Sequence, residues 1–288
     1  MYYLLFGVFY LLSLLPFWVL YIISDGLYLL LYYVIGYRKD IIFTNLKQAF
    51  PEKTARAHRA IAKKYMKNLA DHMVETIKMM SISKRQVSKR FDCDSSIFQY
   101  LEDNNRKSQT HLGHFFNWEW ANLYISMLVS HPFLVIYKPI NDKVFNRLFG
   151  YMRKRFGTIL ISSNNLLREM QPYKKGDYTS VLVADQYPRG RSVYWFPFLN
   201  KMTPFFKGPE ISAKRNDLAV VFGNIRKVKR GYYKIEAKLA FEHAKETENT
   251  AVTEAFVTFL EDCIKRQPEN WLWSHRRWKR EWKGETNK

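Results

Sequence analysis

The stretch FLVIYKPINDKVFNRLFGYMRKRFGTILIS, residues 133–162, decides the fold class. It opens on Phe133–Tyr137, a short apolar and β-branched run. Residues 141–155 then read as a helix, and Thr158–Ile161 is a second run of the first kind. Strand, helix and strand in close succession are the unit of an α/β layer. Working outward, further helices are expected at 117–129, 164–171 and 248–266. Further strands are expected at Ser180–Ala184, Val193–Phe196, Ala219–Asn224 and Tyr232–Ala237. Upstream, Pro51-Glu52 reads as a helix start, and Ile61, Tyr65, Leu69, Met73 and Ile77 recur every four residues, as on one face of an amphipathic helix. The expectation is an α/β body with a central mixed sheet flanked by helices. There is no internal repeat, no long linker and no internal boundary after residue 40.

The chain has 288 residues, 47% of them hydrophobic, and a formal charge of +20. Such a hydrophobic content excludes a disordered chain. Two cysteines, Cys93 and Cys263, exclude a disulfide scaffold and bring no metal-ligand companions, so both are expected to be reduced and no metal is expected. The charge is unevenly spread. Residues 1–36 carry a single charged side chain, Asp25, and leave 46 basic against 25 acidic residues in 37–288. Met1–Ile23 is nearly all Leu, Phe, Tyr, Val and Ile, and at about 1.5 Å per residue it is long enough to cross a hydrocarbon core of roughly 30 Å. A cleaved signal peptide fits poorly, because a basic start and a small-residue cleavage site are both missing. Leu27–Ile35 is too short to span alone, and its tyrosines suit the headgroup zone or the end of one long tilted helix. Arg38, Lys39 and Lys47 follow, and by the positive-inside rule they place the remainder in the cytoplasm. Two parts are expected: residues 1–36 as a membrane anchor with an interfacial segment, and 37–288 as a cytoplasmic domain.

Gly113-His114-Phe115-Phe116-Asn117-Trp118-Glu119 is the segment richest in chemistry. It sets an imidazole five positions before a carboxylate. In one continuous helix that offset is about 140°, so the two would not meet. They converge if His114 sits on a turn before a helix and Glu119 lies in its first turns. The pair would then be a base and its orienter, the carboxylate holding one ring N–H while the other nitrogen takes a proton. A structural histidine beside a surface glutamate accounts for the same spacing.

Gly113-His114-Phe115, followed by Asn117-Trp118-Glu119, resembles the active-site block of the bacterial lipid A biosynthesis acyltransferases, which add secondary acyl chains. That family sits within the wider His-x4-Asp/Glu glycerolipid acyltransferases. The resemblance extends over residues 38–280. It includes Arg38, Asn45-Leu46 and Phe50-Pro51-Glu52 near the anchor, and Asp185-Gln186 after a strand. It ends on the run from Pro268-Glu269-Asn270-Trp271 to Trp278-Lys279. Two departures stand out. Many relatives have Arg-Pro where this chain has Lys138-Pro139-Ile140-Asn141, which replaces a bidentate guanidinium by a point charge. A usual Phe-Phe-Gly is here Phe198-Leu199-Asn200.

The resemblance implies a glycerolipid acyltransferase-like body that moves an acyl chain from an acyl carrier protein thioester to a hydroxyl of a lipid A precursor, with no bound cofactor. It implies His114 as general base and Glu119 as its orienter. Arg153 and Arg155 match the family's arginine block, and guanidinium suits a lipid phosphate or the donor's phosphopantetheine; a solvated basic helix end is the plainer reading. Asp185 is expected to anchor an arginine or the acceptor, or to be a buried turn carboxylate, and Lys138 to bind substrate. The expected partners are acidic acyl carrier protein, an anionic glycolipid and the bacterial inner membrane, with the domain on its cytoplasmic face. A different lipid acceptor with acyl carrier protein or CoA donors is the enzymatic alternative. A basic membrane or nucleic-acid-binding protein is the other, although the mixture of Trp278 and Trp282 with Arg and Lys suits a membrane interface better than nucleic acid.

Overall fold

The computed structural model describes every residue except 189, 191, 285, 286 and 288. Two apolar helices come first, α1 (Tyr2–Leu14) and α2 (Phe17–Leu29), and a π-helical turn, Leu30–Val34, prolongs the second. The long helix expected over Met1–Ile23 is therefore broken. Pro16 has no N–H to bond back to residue 12, and its ring displaces that carbonyl. The stretch long and apolar enough to be a candidate membrane span is Phe17–Val34 instead.

Next come α3 (Lys39–Ala49) and α4 (Ala55–Lys78). The latter starts after Pro51-Glu52 because the Thr54 side chain accepts from the Ala57 N–H and caps it. The elements that follow are α5 (Lys84–Ser88), β1 (Phe91–Cys93), α6 (Ser96–Asp103), β2 (Ser108–Leu112), α7 (Trp118–Leu128) and β3 (Phe133–Tyr137). Then α8 (Lys143–Lys154) and β4 (Ile159–Ser162) complete the strand–helix–strand unit of residues 133–162, and α9 (Leu166–Glu169) and β5 (Thr179–Val183) follow it. The rest is β6 (Val193–Phe198), β7 (Lys201–Phe206), α10 (Gly208–Arg215), β8 (Ala219–Lys229), β9 (Tyr232–Phe241) and α11 (Ala251–Arg266).

Seven strands form the central sheet in the order β1-β9-β8-β2-β5-β3-β4. Only the β8–β9 pair is antiparallel, so the sheet is mixed and flanked by helices, as expected. Val193–Phe196 departs from expectation. It belongs to β6, which pairs with β7 in a separate two-stranded hairpin. Leu199 and Asn200 turn that hairpin with φ of 48° and 62°, the left-handed pair a tight two-residue turn requires. Here the departure at Phe198-Leu199-Asn200 acquires a shape: Asn takes the left-handed region readily, and the Leu199 N–H donates to the Glu261 carboxylate at 2.7 Å.

The middle of the sheet is polar. All five residues of β2, Ser108-Gln109-Thr110-His111-Leu112, are buried. Neighbouring groups satisfy several of them: the Ser180 hydroxyl donates to the Ser108 carbonyl at 2.9 Å, and the Gln109 amide reaches the His111 ring at 2.6 Å and the Pro209 carbonyl at 2.8 Å. Two parallel strands next to each other, β2 and β5, run in register from Ser108 against Thr179 to Leu112 against Val183. Their carboxyl ends point the same way, and the chains leaving them carry the site.

Candidate active site

His114 lies two residues beyond the end of β2, and Asp185 two beyond the end of β5. In open α/β sheets the crevice outside the carboxyl ends of the strands is where ligands sit. Gly113 makes the turn possible at close quarters, since a Cβ there would lie 2.6 Å from Leu260 and 2.7 Å from Phe115. The His114 N–H donates to Asp185 Oδ2 at 2.8 Å, and its ring Nδ1 meets Asp185 Oδ1 at 2.5 Å. The Trp271 indole donates to Asp185 Oδ2 at 2.6 Å. Burial by itself would push the Asp185 carboxyl up. The His114 ring beside it, the two hydrogen bonds from His114 and the one from Trp271 outweigh it and hold the group below the ordinary carboxylate range.

A carboxylate at Nδ1 fixes the tautomer: Nδ1 carries the proton and Nε2 presents its lone pair. The Gln186 amide nitrogen lies 3.1 Å from Nε2. The His114 ring stands edge-on to Trp118, with centroids 5.1 Å apart, and keeps 17% of its side chain exposed. It opens into a cleft of about 280 Å³ lined by Trp118, Glu119, Lys138, Arg153 and Gln186. A larger cleft of about 550 Å³ shares Lys138 and Gln186 with the first and adds Tyr187, Phe206, His275 and Lys279.

Glu119 makes no hydrogen bond to His114; its partners are Arg153 and Trp118. Asn117 caps α7 by accepting from the N–H groups of Glu119 and Trp120, each at 3.1 Å, which fixes Glu119 in the first turn. There its carboxylate meets Arg153 of α8 as a fork, Nε to Oε2 at 2.8 Å and Nη2 to Oε1 at 2.5 Å, with a third bond from the Trp118 indole at 3.1 Å. Burial opposes ionisation of Glu119, but the Arg153 charge and its hydrogen bonds, then His72 and Trp118, keep it below its ordinary value. The expected His114–Glu119 bond is thus replaced by two separate pairs, His114–Asp185 and Glu119–Arg153. Asp185, read earlier as an anchor for arginine or acceptor, holds the imidazole. Position in α7 is the physical reason: the helix start aims Glu119 toward α8, while β5 delivers Asp185 beside the β2 terminus.

Arg155 is turned away from the clefts. Its guanidinium donates to the carbonyls of Met79 and, at 2.9 Å, Ile82, just past the end of α4, and it lines neither cleft. Lys138 follows β3 and lies exposed on the shared rim of both.

Three residues without an assigned role in the sequence reading contribute to the site: Gln186 at Nε2, Trp271 at Asp185, and His72. The last sits on α4 with its ring 4.2 Å from Trp118, and burial pushes it down to about 4, so it is neutral at pH 7. Gln186 and Trp271 were visible in the quoted motifs, but only the folded chain gives them partners. The Pro268–Trp271 segment is stitched to the loop after His114: Phe116 N–H donates to the Asn270 carbonyl at 3.1 Å, and the Asn270 amide returns to the Phe116 carbonyl at 3.0 Å. Motifs from the two ends of the chain also meet. Asn45 donates to the carbonyls of Trp273 and His275 at 2.8 and 2.9 Å, and Arg38 to that of Ser274 at 2.9 Å. The C-terminal run is accordingly packed, with Arg277 fully buried and the Trp278 indole bonded to Thr203 at 2.8 Å, whereas Trp282 is exposed.

No curated protein matches this chain. A family model described as bacterial lipid A biosynthesis acyltransferase matches residues 1–280, a span that takes in His114, Asp185, the Glu119–Arg153 pair and the C-terminal motif. The chain belongs to the bacterial lipid A biosynthesis acyltransferase family and is an acyltransferase enzyme.

Proposed function

We propose that the protein transfers an acyl chain from an acyl carrier protein thioester to a hydroxyl of a lipid A precursor, with His114 as general base. The observation that carries this reading is the His114 ring itself, fixed by Asp185 at Nδ1 and set in the cleft wall with only the Gln186 amide, at 3.1 Å, beside Nε2 among the described residues. Nε2 takes the acceptor hydroxyl proton as the oxygen attacks the thioester carbon. The tetrahedral intermediate collapses with cleavage of the C–S bond, and the imidazolium returns the proton to the leaving thiolate. A base so placed contributes roughly 10²–10⁴-fold. Asp185 keeps the reactive nitrogen unprotonated before the reaction and stabilises the imidazolium.

In this reading Glu119 positions Arg153 rather than His114. With both carboxylate oxygens occupied by the guanidinium fork and the indole, Glu119 holds the cationic wall of the cleft in place. Arg153 and Lys138 then face the phosphates of the acceptor or the donor's phosphopantetheine. No bound cofactor is required, because the thioester supplies the leaving group. The donor protein is acidic and the acceptor anionic, and the basic excess of residues 37–288 suits both. Residues 1–36 serve as the membrane attachment, and the basic residues after them favour a domain on the cytoplasmic face of the inner membrane.

The test is acyl transfer by the full chain in detergent, from a radiolabelled acyl carrier protein thioester to a lipid A precursor that retains a free hydroxyl. The expected result is a product heavier by one acyl chain. Lipid mass spectra of a deletion strain should lack that chain. An unchanged lipid A together with the loss of an acylated phospholipid would move the activity to another acceptor.

A further inference from the structure

The first two helices meet the body in a way that bears on how the enzyme meets lipid. Along its whole length α2 runs antiparallel to α4, with ties at successive turns. Lys78 donates to the Leu15 carbonyl at 2.9 Å and Ser81 to that of Ser13 at 2.7 Å; the Tyr21 hydroxyl donates to Glu75 at 2.9 Å and the Ser24 hydroxyl to Asp71 at 2.8 Å. Further along, the Lys67 ammonium lies 5.2 Å from the Tyr28 ring and that of Lys63 lies 5.8 Å from the Tyr33 ring. From the β8–β9 turn Arg230 clamps Asp25 at 2.8 Å and also bonds Asp71. At the next residue, Gly231, a Cβ would come within 2.0 Å of the Tyr21 hydroxyl. The polar stripe of α2 thus faces the protein.

Its other side is apolar and open. Trp18, Ile22, Leu29 and Tyr33 fall on one face by helical spacing, and each is more than half exposed. On α1, Tyr3, Leu4, Leu11 and Leu14 extend this surface. Cations border it: Lys39 lies 4.3 Å from the Tyr32 ring, Arg147 lies 4.0 Å from that of Tyr2, and Lys63 and Lys67 are exposed. If Phe17–Val34 crossed a bilayer in this arrangement, α4 would be carried through the hydrocarbon beside it, with Lys63, Lys67, Asp71, Glu75 and Lys78. Charge at that depth is strongly unfavourable.

We propose that α1 and α2 lie flat in one leaflet as an in-plane platform. The apolar face enters the acyl zone, and Lys39, Lys63, Lys67 and Arg147 meet anionic headgroups at its edge. Basic residues beside tyrosines suit that boundary, and an apolar face with a cationic border matches an anionic leaflet. The platform also sets the height of the cleft. Phe6 of α1 packs on Tyr151 of α8, with ring centroids 5.1 Å apart, and α8 carries Arg153. The inference holds whatever lipid is acylated.

Spin labels at Trp18→Cys, Ile22→Cys, Leu29→Cys and Tyr33→Cys test it, one at a time, in the full chain with Cys93→Ser and Cys263→Ala. The protein is placed in vesicles of phosphatidylcholine and phosphatidylglycerol. All four labels should report the same shallow depth, within about one helical turn, or about 5 Å. Labels at Trp18 and Tyr33 near opposite surfaces, with the others at the centre, would establish a span and overturn the proposal, as would four labels open to a water-soluble relaxant. Protease sites added at the two chain ends should be cut from the same side of the membrane; cutting from opposite sides overturns it too. Lys63→Gln and Lys67→Gln should each weaken binding to these vesicles roughly fivefold, the equivalent of about 1 kcal/mol per charge near an anionic surface. Undiminished binding would remove the headgroup contact from the proposal.

Discussion

Replacing His114 by alanine is expected to lower acyl transfer about 10²–10⁴-fold while leaving the protein folded. The side chain stands at a cleft wall, and its removal leaves the Asp185 carboxylate with two donors, the residue 114 N–H and the Trp271 indole. Both donors reach Oδ2, so Oδ1 loses its ring partner, and thermal unfolding in detergent should show a cost of about 1–3 kcal/mol without loss of the fold. Transfer at the wild-type rate by this variant would refute the base assignment. The identity of the orienting carboxylate has its own signature. Asp185→Asn presents an amide that can donate to Nδ1, which turns the ring to the tautomer whose Nε2 bears a proton. Its kcat should fall nearly as far as that of His114→Ala. Glu119→Gln leaves the His114–Asp185 pair intact, so its kcat loss should be much the smaller of the two. Equal losses in Asp185→Asn and Glu119→Gln would return Glu119 to the role its spacing first suggested.

The largest stability effect is expected at Arg153→Met. Glu119 is buried, with 4% of its side chain exposed, and among the described residues Arg153 is its one ion-pair partner. Removing one partner of a buried pair typically costs about 3–5 kcal/mol, because the remaining charge loses its compensation without regaining water. The cost should depend on pH in a definite direction. In the wild type the folded-state Glu119 lies below its ordinary value, so its contribution is present above the unfolded value and is lost as pH falls through the folded one. Without Arg153, burial pushes the same carboxyl up, the folded protein binds the extra proton, and stability falls as pH rises past the unfolded value. The gap between wild type and Arg153→Met should thus widen from acid toward neutral pH, as read by urea unfolding in detergent. The Arg153→Met/Glu119→Gln double variant should recover part of the loss. No recovery would mean that Arg153 acts on stability through other contacts.

Legibility followed chemistry. The runs at Phe133–Tyr137 and Thr158–Ile161, with a helix between them, were plain because apolar burial writes a period into the sequence. The central strand β2 was not, because Ser-Gln-Thr-His is buried by hydrogen bonding rather than by hydrophobicity, and such a segment carries no apolar alternation. His114 was legible from its motif. Its partner was not, because the contact joins residues 71 positions apart and depends on the two strands lying side by side. Nearness in sequence favoured Glu119 instead. Arg155 was misplaced for a related reason. Two arginines of one block, two positions apart on or just after a helix, point to different sides, and only Arg153 faces the cleft. The continuous span expected over Met1–Ile23 is broken at Pro16, which moves the candidate span to Phe17–Val34.

The buried Glu75 carboxylate has a wider meaning. One oxygen accepts from Tyr21 on α2, and the other accepts from Tyr233 and from Asn117, the residue that caps α7. The first 36 residues are therefore a structural member of the catalytic body and not a detachable tether. Cutting them away to obtain a soluble enzyme would strip Glu75, Asp71 and Lys78 of partners and bare the side of α4 that α2 covers. Modularity in this protein ends where the apolar segment touches the acid beneath the active-site helix.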